Sequence, residues 1–440
     1  METHPQVIPA GGHGAGDNDN RLKRARYFGL LASNRSFRRV WMSQLISEIG
    51  DWFYSLAVYD LLLQLTGSAQ AVSWAIILQT LPWFLMTPLA GPIADRFSRK
   101  RLMILADLVR AAVVLGLILV HLRTQIWLVY ALLVVEVMFA SIFEPARNAL
   151  LPDICSKEEI LTANAISSTT WSLALAVGAA LGGAVTALAG RKVAFVVNSI
   201  SFLASALLLL GVRAEEPHLL CNSPTSGGAW GGFASLRDGI RYLASDRKVL
   251  VLAMAKTGLG VLAGSLLVLA VLGEKLFGAP GKGAMAVGWL YAARGVGAGT
   301  GSLLAARVTG GRAHRMWKAI SIGYFVVGTA YLCLSSAPNL ALACLAVVAA
   351  HCGGSTVWVS STTLLQLNAA ERFRGRVFAV DAGAIMLAAA LSNFVLGLSL
   401  DAWGFAPRQV AMLLGAAMLV PGLLWLPAQS RWGRGAPCAT

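Results

Sequence analysis

The chain has 440 residues, of which 57% are hydrophobic and only 13% charged. A soluble domain carries about a quarter of its residues as charges, so this composition excludes an ordinary soluble protein and places most of the chain in lipid. The formal net charge of +15 would suggest nucleic acid in a soluble protein. Here the cations cluster in short segments between apolar runs, so membrane orientation accounts for them and no nucleic-acid partner is implied.

Residues 1–20 are rich in Gly, His, Asn and Asp, have nothing to bury, and read as disordered. With the basic stretch from Arg21 to Arg39 they form an N-terminal arm, 1–39. The first apolar run is long and has no small-residue cleavage site, so it reads as a retained span rather than a signal peptide. The apolar segments then fall at roughly 40–65, 70–94, 102–121, 126–147, 160–189 and 192–212. They resume at roughly 249–272, 285–307, 316–336, 339–366, 376–400 and 408–428.

Each segment is long enough to cross a bilayer. The expected fold is therefore an all-α integral membrane protein of twelve transmembrane helices, in halves of six at 40–212 and 249–428. The linker 213–248 carries Pro217, Ser223-Pro224 and Gly227-Gly228. Within it, Phe233 to Arg247 reads as an amphipathic interfacial helix, with Phe233, Leu236, Ile240 and Leu243 on one side and Arg237, Asp238 and Arg241 on the other. Residues 429–440 form a tail.

Cations concentrate in the arm, in loop 2–3, in the linker, in loop 8–9 (Arg307, Arg312, Arg315, Lys318) and in loop 10–11 (Arg372, Arg374, Arg376). The positive-inside rule then puts both termini in the cytoplasm. The six cysteines form no CxxC pair and show no metal-ligand spacing, so neither a disulfide framework nor a metal site is implied.

Loop 2–3 reads Gly91-Pro92-Ile93-Ala94-Asp95-Arg96-Phe97-Ser98-Arg99-Lys100-Arg101. Asp95 sits at a helix end, with Arg96, Arg99 and Lys100 one, four and five positions later. That spacing suits a latch: the carboxylate bonds to a neighbouring helix N-terminus while the arginines reach acids on other helices. The pattern resembles the loop 2–3 signature of the major facilitator superfamily. Within that family the chain resembles the bacterial drug and siderophore exporters. The residues that carry this are Gly50-Asp51-Trp52-Phe53, Leu65-Thr66-Gly67-Ser68, Phe143-Glu144-Pro145-Ala146-Arg147 through Leu151-Pro152-Asp153, and Arg374-Gly375-Arg376-Val377-Phe378.

The resemblance implies two halves enclosing a central cavity, and a gate built from Gly91, Asp95, Arg96, Arg99, Lys100, Glu144, Arg147 and Arg376. In that gate Asp95 faces the start of span eleven, and Arg99 reaches Glu144 first and Asp153 next. Span five contains Gly178-Ala179-Ala180-Leu181-Gly182-Gly183, which resembles the Gly-rich signature of drug:proton antiporters with alanine in place of its proline. Close helix packing is the competing account of Gly178, Gly182 and Gly183.

Ionisable residues inside the spans are the functional candidates, because each is costly in lipid and needs a cavity or a partner. Gln44, Ser47, Glu48, Asp51 and Ser55 form a polar stripe on span one. Glu48 and Asp51, one turn apart, can share a proton as a coupling site, or one of them can pair with an arginine. Glu136 and Arg294 sit near the middle of their spans, which favours the cavity. Asp107 and Arg110 are expected to pair with each other, Lys256 to snorkel, His351 to pack, and Asp381 to belong to the gate. Trp52 and Trp171 are candidates for lining a pocket.

The expectation is a secondary efflux transporter that exports an amphipathic small molecule (a siderophore, a drug or a secondary metabolite) by proton antiport across a bacterial inner membrane. It needs no cofactor beyond the proton gradient, and a monomer is the expected state. Rivals are a lysophospholipid or other lipid flippase, an uptake carrier, and a membrane-bound enzyme. No His-x-x-x-x-Asp, Gly-x-Ser-x-Gly or Walker lysine supports catalysis or ATP-driven pumping.

Overall fold

The structure is a computed structural model that describes residues 29–216, 237, 239–278, 282–310, 312–370 and 373–433. The expectations for most of the N-terminal arm, much of the amphipathic linker helix and most of the tail fall outside these residues. So do the side chains of Gly91, Asp95, Arg374 and Gly375.

Twelve long helical rods are traced among the described residues. The first half holds α1 (Arg35–Thr66), α2 (Ala69–Arg96), α3 (Arg99–Gly116), α4 (Ile126–Ile154), α5 (Lys157–Ala189) and α6 (Arg191–Leu210). The second half holds α7 (Arg247–Phe277, broken), α8 (Gly283–Thr309), α9 (Ala313–Ser335), α10 (Leu340–Asn368), α11 (Arg374–Asp401) and α12 (Pro407–Trp432). Nine helices among the described residues are long and apolar enough to cross a bilayer. The polar stripe of α1 lowers its mean hydropathy and keeps it out of that set.

The helix ends follow from local chemistry. Asn34 accepts from the Phe37 N–H to start α1, Ser68 accepts from the Ala71 N–H to start α2, and Ser156 with Glu159 forms a capping box on α5. Gly67 ends α1 at φ 68°, a left-handed backbone that glycine adopts without strain, so α2 can turn straight back.

Two helices depart from their expected limits. The apolar run of span four stops near 147, but α4 continues to Ile154 with Pro145 and Pro152 inside it. Span seven breaks at Ala263-Gly264 and resumes over Ser265–Leu272, ending in a π turn at Gly273–Phe277. The Ser392 hydroxyl donates to the Val261 carbonyl at that break (2.8 Å), supplying a partner where the helix is interrupted.

The two halves repeat one packing scheme. Helix α1 packs on α5, α2 on α4, α3 on α4 and α6; six helices later α7 packs on α11, α8 on α10, α9 on α10 and α12. The halves meet through α2 against α11 and α5 against α8, which is one contact and its symmetry mate. Large apolar side chains such as Leu119, Leu207, Leu387 and Leu424 point outward, as lipid requires.

The bundle has two distinct ends. At one, the basic face, the start of α1 meets the end of α4 through Asn34 Nδ2 and the Ile154 carbonyl (2.7 Å), and Lys100 Nζ donates to the Leu210 and Val212 carbonyls past the end of α6. The other, the opposite face, holds Gly67, Ser68, Lys275 and Asp401. The described part of the linker helix docks at the basic face, where Tyr242 stacks on Phe373 with ring centroids 4.6 Å apart and its hydroxyl accepts from the Ala370 N–H.

Candidate functional site

A cavity of about 660 Å³ opens inside the first half, lined by residues of α1, α2, α3, α4 and α5. Its wall on α1 is the polar stripe: Gln44, Ser47, Glu48 and Asp51 all face it. Trp83, Phe143 and Trp171 add aromatic surface, and Arg110, Glu144 and Arg147 add charge. An amphipathic solute therefore meets both apolar area and fixed charge of either sign.

The deep end is organised by Arg110. Its Nη2 donates to Asp51 Oδ1 and Oδ2 at 2.9 and 3.0 Å, and its Nε donates to Glu136 Oε1 at 2.8 Å. The guanidinium lies 4.1 Å from the centroid of the Phe202 ring. One planar fork thus joins α1, α3 and α4, as bidentate geometry permits. Arg110 and Glu136 are each 6% exposed, whereas Asp51 is 35% exposed. Of the three, Asp51 is the carboxylate that meets water.

The expected Asp107–Arg110 ion pair is present at 4.0 Å, and two closer acids from other helices join it. Asp107 Oδ1 is 4.0 Å from Arg110, and its Oδ2 accepts from Ser205 at 2.5 Å. Arg110 turns to the two acids on other helices because they offer bidentate and close contacts, while a neighbour one turn away on the same helix does not. Arg110 was not a candidate for the cavity in the sequence. The signal available was the count of intramembrane acids, Asp51, Asp107 and Glu136, that need a cation nearby.

The end of the cavity nearer the basic face is a second chain of contacts. Glu48 Oε1 accepts from Gln44 Nε2 at 2.7 Å, Arg147 donates to Gln44 Oε1, and Arg147 also donates to Glu144 Oε2 at 2.7 Å. Glu48 Oε2 is buried without a hydrogen-bond partner. No hydrogen bond joins Glu48 to Asp51; each carboxylate has its own partner on another element or turn.

The gate residues separate accordingly. Arg99 reaches Asp153 (2.8 Å) and the Ala149 carbonyl (2.9 Å) rather than Glu144, the partner expected first. Nine residues of helix, roughly 13 Å at 1.5 Å per residue, separate the two acids, and Glu144 already holds Arg147. Arg96 is exposed at the end of α2. The Lys100 N–H donates to Glu216 at 3.0 Å, and Arg376 lies 5.4 Å over the Phe373 ring. Gly91 and Asp95 remain outside the described side chains.

The glycines of α5 are points of close approach. A Cβ on Gly178 or Gly182 would meet the backbone of α1 at Ile49 and Phe53, at 3.1 and 2.9 Å. One on Gly183 would meet Ala284 and Gly288 of α8 at 2.6 and 2.7 Å. Packing therefore occupies all three positions.

The second half contributes a buried pair instead of a cavity wall. Lys256 Nζ lies 2.5 Å from Asp381 Oδ2, with the side chains 3% and 2% exposed. The Trp358 and Phe378 ring centroids are 5.1 and 5.0 Å from the ammonium. Lys256 does not snorkel but is held by Asp381 of α11. Arg294 lies in α8 outside the cavity, its Nε without a hydrogen-bond partner. His351 bonds the Tyr331 hydroxyl at 3.2 Å, the packing role expected of it. Trp52 packs on Tyr291 of the other half with ring centroids 5.9 Å apart, and Trp171 lines the cavity.

Comparison with known proteins places the fold. The Major Facilitator Superfamily model matches residues 40–392. The MFS-type transporter YfiS of Bacillus subtilis (strain 168) is 29% identical over 419 residues, spanning 90% of this chain and 94% of that protein. Enterobactin exporter EntS of Escherichia coli O1:K1 / APEC is 26% identical over 406 residues, spanning 90% and 92%. Macrolide efflux protein A of Streptococcus pyogenes is 30% identical over 147 residues, 33% of this chain and 36% of that protein. Among solved structures, a bacterial homolog of the human lysosomal transporter Spinster, inward-facing and unoccupied, superposes with a TM-score of 0.70 at 14% identity. That alignment covers 92% of this chain and 99% of the other. The chain is a multi-pass membrane protein and belongs to the Major Facilitator Superfamily.

Proposed function

We propose that this chain is a secondary exporter that moves an amphipathic small molecule out of a bacterial cytoplasm in exchange for protons, with the basic face cytoplasmic. The observation that carries the proposal is the Asp51–Arg110–Glu136 cluster at the deep end of an aromatic-lined cavity. The resemblance to a macrolide efflux protein and an enterobactin exporter supports the direction of transport and the class of cargo, a siderophore, drug or secondary metabolite.

The cluster has the parts that coupling needs. Asp51 is reachable from the cavity, and protonating it removes one of the two close carboxylates that hold Arg110. The tie between α1 and α3 then weakens, while the buried Glu136 keeps Arg110 on α4. A cargo with a hydrogen-bond donor or cation beside Asp51 competes with Arg110 for the same oxygens. Proton and cargo thereby bias the same contact, which is what exchange requires. Glu48, Gln44, Arg147 and Glu144 line the route from the basic face.

The test is proton flux in proteoliposomes under an imposed pH gradient, with candidate siderophores, macrolides and lipophilic cations, for wild type and Asp51→Asn. Cargo-dependent proton movement that vanishes in Asp51→Asn supports antiport with Asp51 as the coupling acid. Cargo-dependent flux that survives moves that role to Glu48 or Glu136. Cargo transport without proton movement sinks the antiport.

A further inference from the structure

At the opposite face the two halves are joined by an acid and a helix end. Asp401 is the last residue of α11, and its carboxylate sits on the N-terminus of α2. Oδ2 accepts from the Ser68 hydroxyl at 2.5 Å and from the Gln70 N–H at 2.8 Å, and Oδ1 accepts from the Ala69 N–H at 3.1 Å. Ser68 is also the N-cap of α2, its oxygen accepting from the Ala71 N–H at 3.1 Å. A residue of the second half therefore completes the cap of a helix in the first.

Two physical features separate this contact from ordinary packing. A carboxylate at a helix C-terminus faces the negative end of its own macrodipole, a local cost to α11. The positive end of α2 offsets that cost only while the halves are together. The second feature is asymmetry. The symmetry mate of the α2–α11 contact is α5 against α8, and the chain leaving α5, Leu188-Ala189-Gly190, has no acid. That pair is held by glycine packing, Gly183 against Gly288. The charge is placed on one of the two pairs.

The neighbouring contacts depend on the same closure. The Ser73 hydroxyl donates to the Asn393 carbonyl at 2.7 Å, Trp74 meets Phe394 edge-on at 5.5 Å, and Lys275 Nζ donates to the Gly67 carbonyl at 3.3 Å. Any motion that opens this face must pull Asp401, an exposed residue, off three donors at once and leave it at the negative end of α11.

We propose that Asp401 is the latch of the opposite face, a positioning residue that sets how often the transporter opens there. Charge-assisted bonds to a helix N-terminus are made in the state closed at this face and lost in the state open at it, so they act only on the equilibrium between the two. The proposal needs alternating access but neither proton coupling nor a known cargo.

The experiment is cysteine accessibility on purified protein in nanodiscs, where both faces meet the reagent. Ser73→Cys, in a background with the native cysteines replaced by serine, is the reporter, because Ser73 is fully buried in the seal. The rate of maleimide labelling is compared with and without Asp401→Ala and Asp401→Asn, together with Arg123→Ala as a charge change outside the seal. The latch predicts a rise of about tenfold for Asp401→Ala, a smaller rise for Asp401→Asn, and none for Arg123→Ala. Thermal melts confirm that the variants stay folded, and Ser68→Ala repeats the test from the other partner with a smaller rise. Unchanged labelling in folded Asp401→Ala, or equal rises in Arg123→Ala, overturns the proposal. No substrate or pH gradient enters the assay, so failure of proton antiport leaves its outcome readable.

Discussion

Arg110 of α3 and Asp51 of α1 are joined by two hydrogen bonds from a single guanidinium nitrogen, while the same side chain holds Glu136 of α4. Removing Arg110 leaves Asp51, Asp107 and Glu136 without their shared cation, the last two of them buried. Breaking a buried pair by deleting one partner costs about 3 kcal/mol or more. Arg110→Met is therefore expected to lower the melting midpoint by several degrees, and Arg110→Met with Glu136→Gln to recover part of the loss. Differential scanning fluorimetry of the purified variants checks both, and equal midpoints for wild type and Arg110→Met would count against the cluster.

The pair Lys256–Asp381 is buried more completely, and its ammonium lies about 5 Å from each of two aromatic ring centroids. Either single change, Lys256→Met or Asp381→Asn, is expected to destabilise by about 3 kcal/mol, and the double change to cost less than the sum. A double-mutant cycle on thermal unfolding measures the coupling. Additive effects would show that the two side chains act independently.

Gly183 and Gly288 allow the backbones of α5 and α8 to touch across the halves. Gly183→Val puts side-chain atoms where Ala284 and Gly288 now stand, under 3 Å from its Cβ. Expected is a variant that folds within each half but cannot close α5 on α8, with transport reduced about tenfold or more. Vesicle export assays and accessibility of the Ser73→Cys reporter check the two parts. Gly299→Ala, whose Cβ would meet nothing nearer than 3.9 Å, is the matched control and keeps wild-type transport.

Arg99 and Asp153 connect the start of α3 to the end of α4 at 2.8 Å, with side chains 13% and 12% exposed. Arg99→Glu sets two acids against each other and is expected to cut transport about tenfold. The exchange Arg99→Glu with Asp153→Arg restores part of it. Restoration by Arg99→Glu with Glu144→Arg instead would return the contact to the partner first expected from the sequence.

Much of this protein is legible before any coordinates. Composition and the twelve apolar runs define the helices, because a backbone in lipid has few alternatives to hydrogen-bonding within its own helix. The polar stripe of α1 is visible for the same reason: five polar residues at helical spacing share one face whatever surrounds them. Four of the five, all but Ser55, line the cavity.

Partners across helices are not legible in that way. Spacing along one helix suggested Asp107 for Arg110, and the family resemblance offered Glu144 first and Asp153 next for Arg99. The tertiary structure kept Asp107 at 4.0 Å from Arg110 but added the closer Asp51 and Glu136, chose Asp153 over Glu144 for Arg99, paired Lys256 with Asp381 over 125 positions, and set Asp401 on a helix 331 residues away. The sequence alone determines which segments become helices and which faces must avoid lipid, because those depend on local hydrogen bonding and burial. Only packing of the two halves decides which cation neutralises which acid, because a buried charge takes the best-placed partner in space, and position along the chain carries no record of that distance.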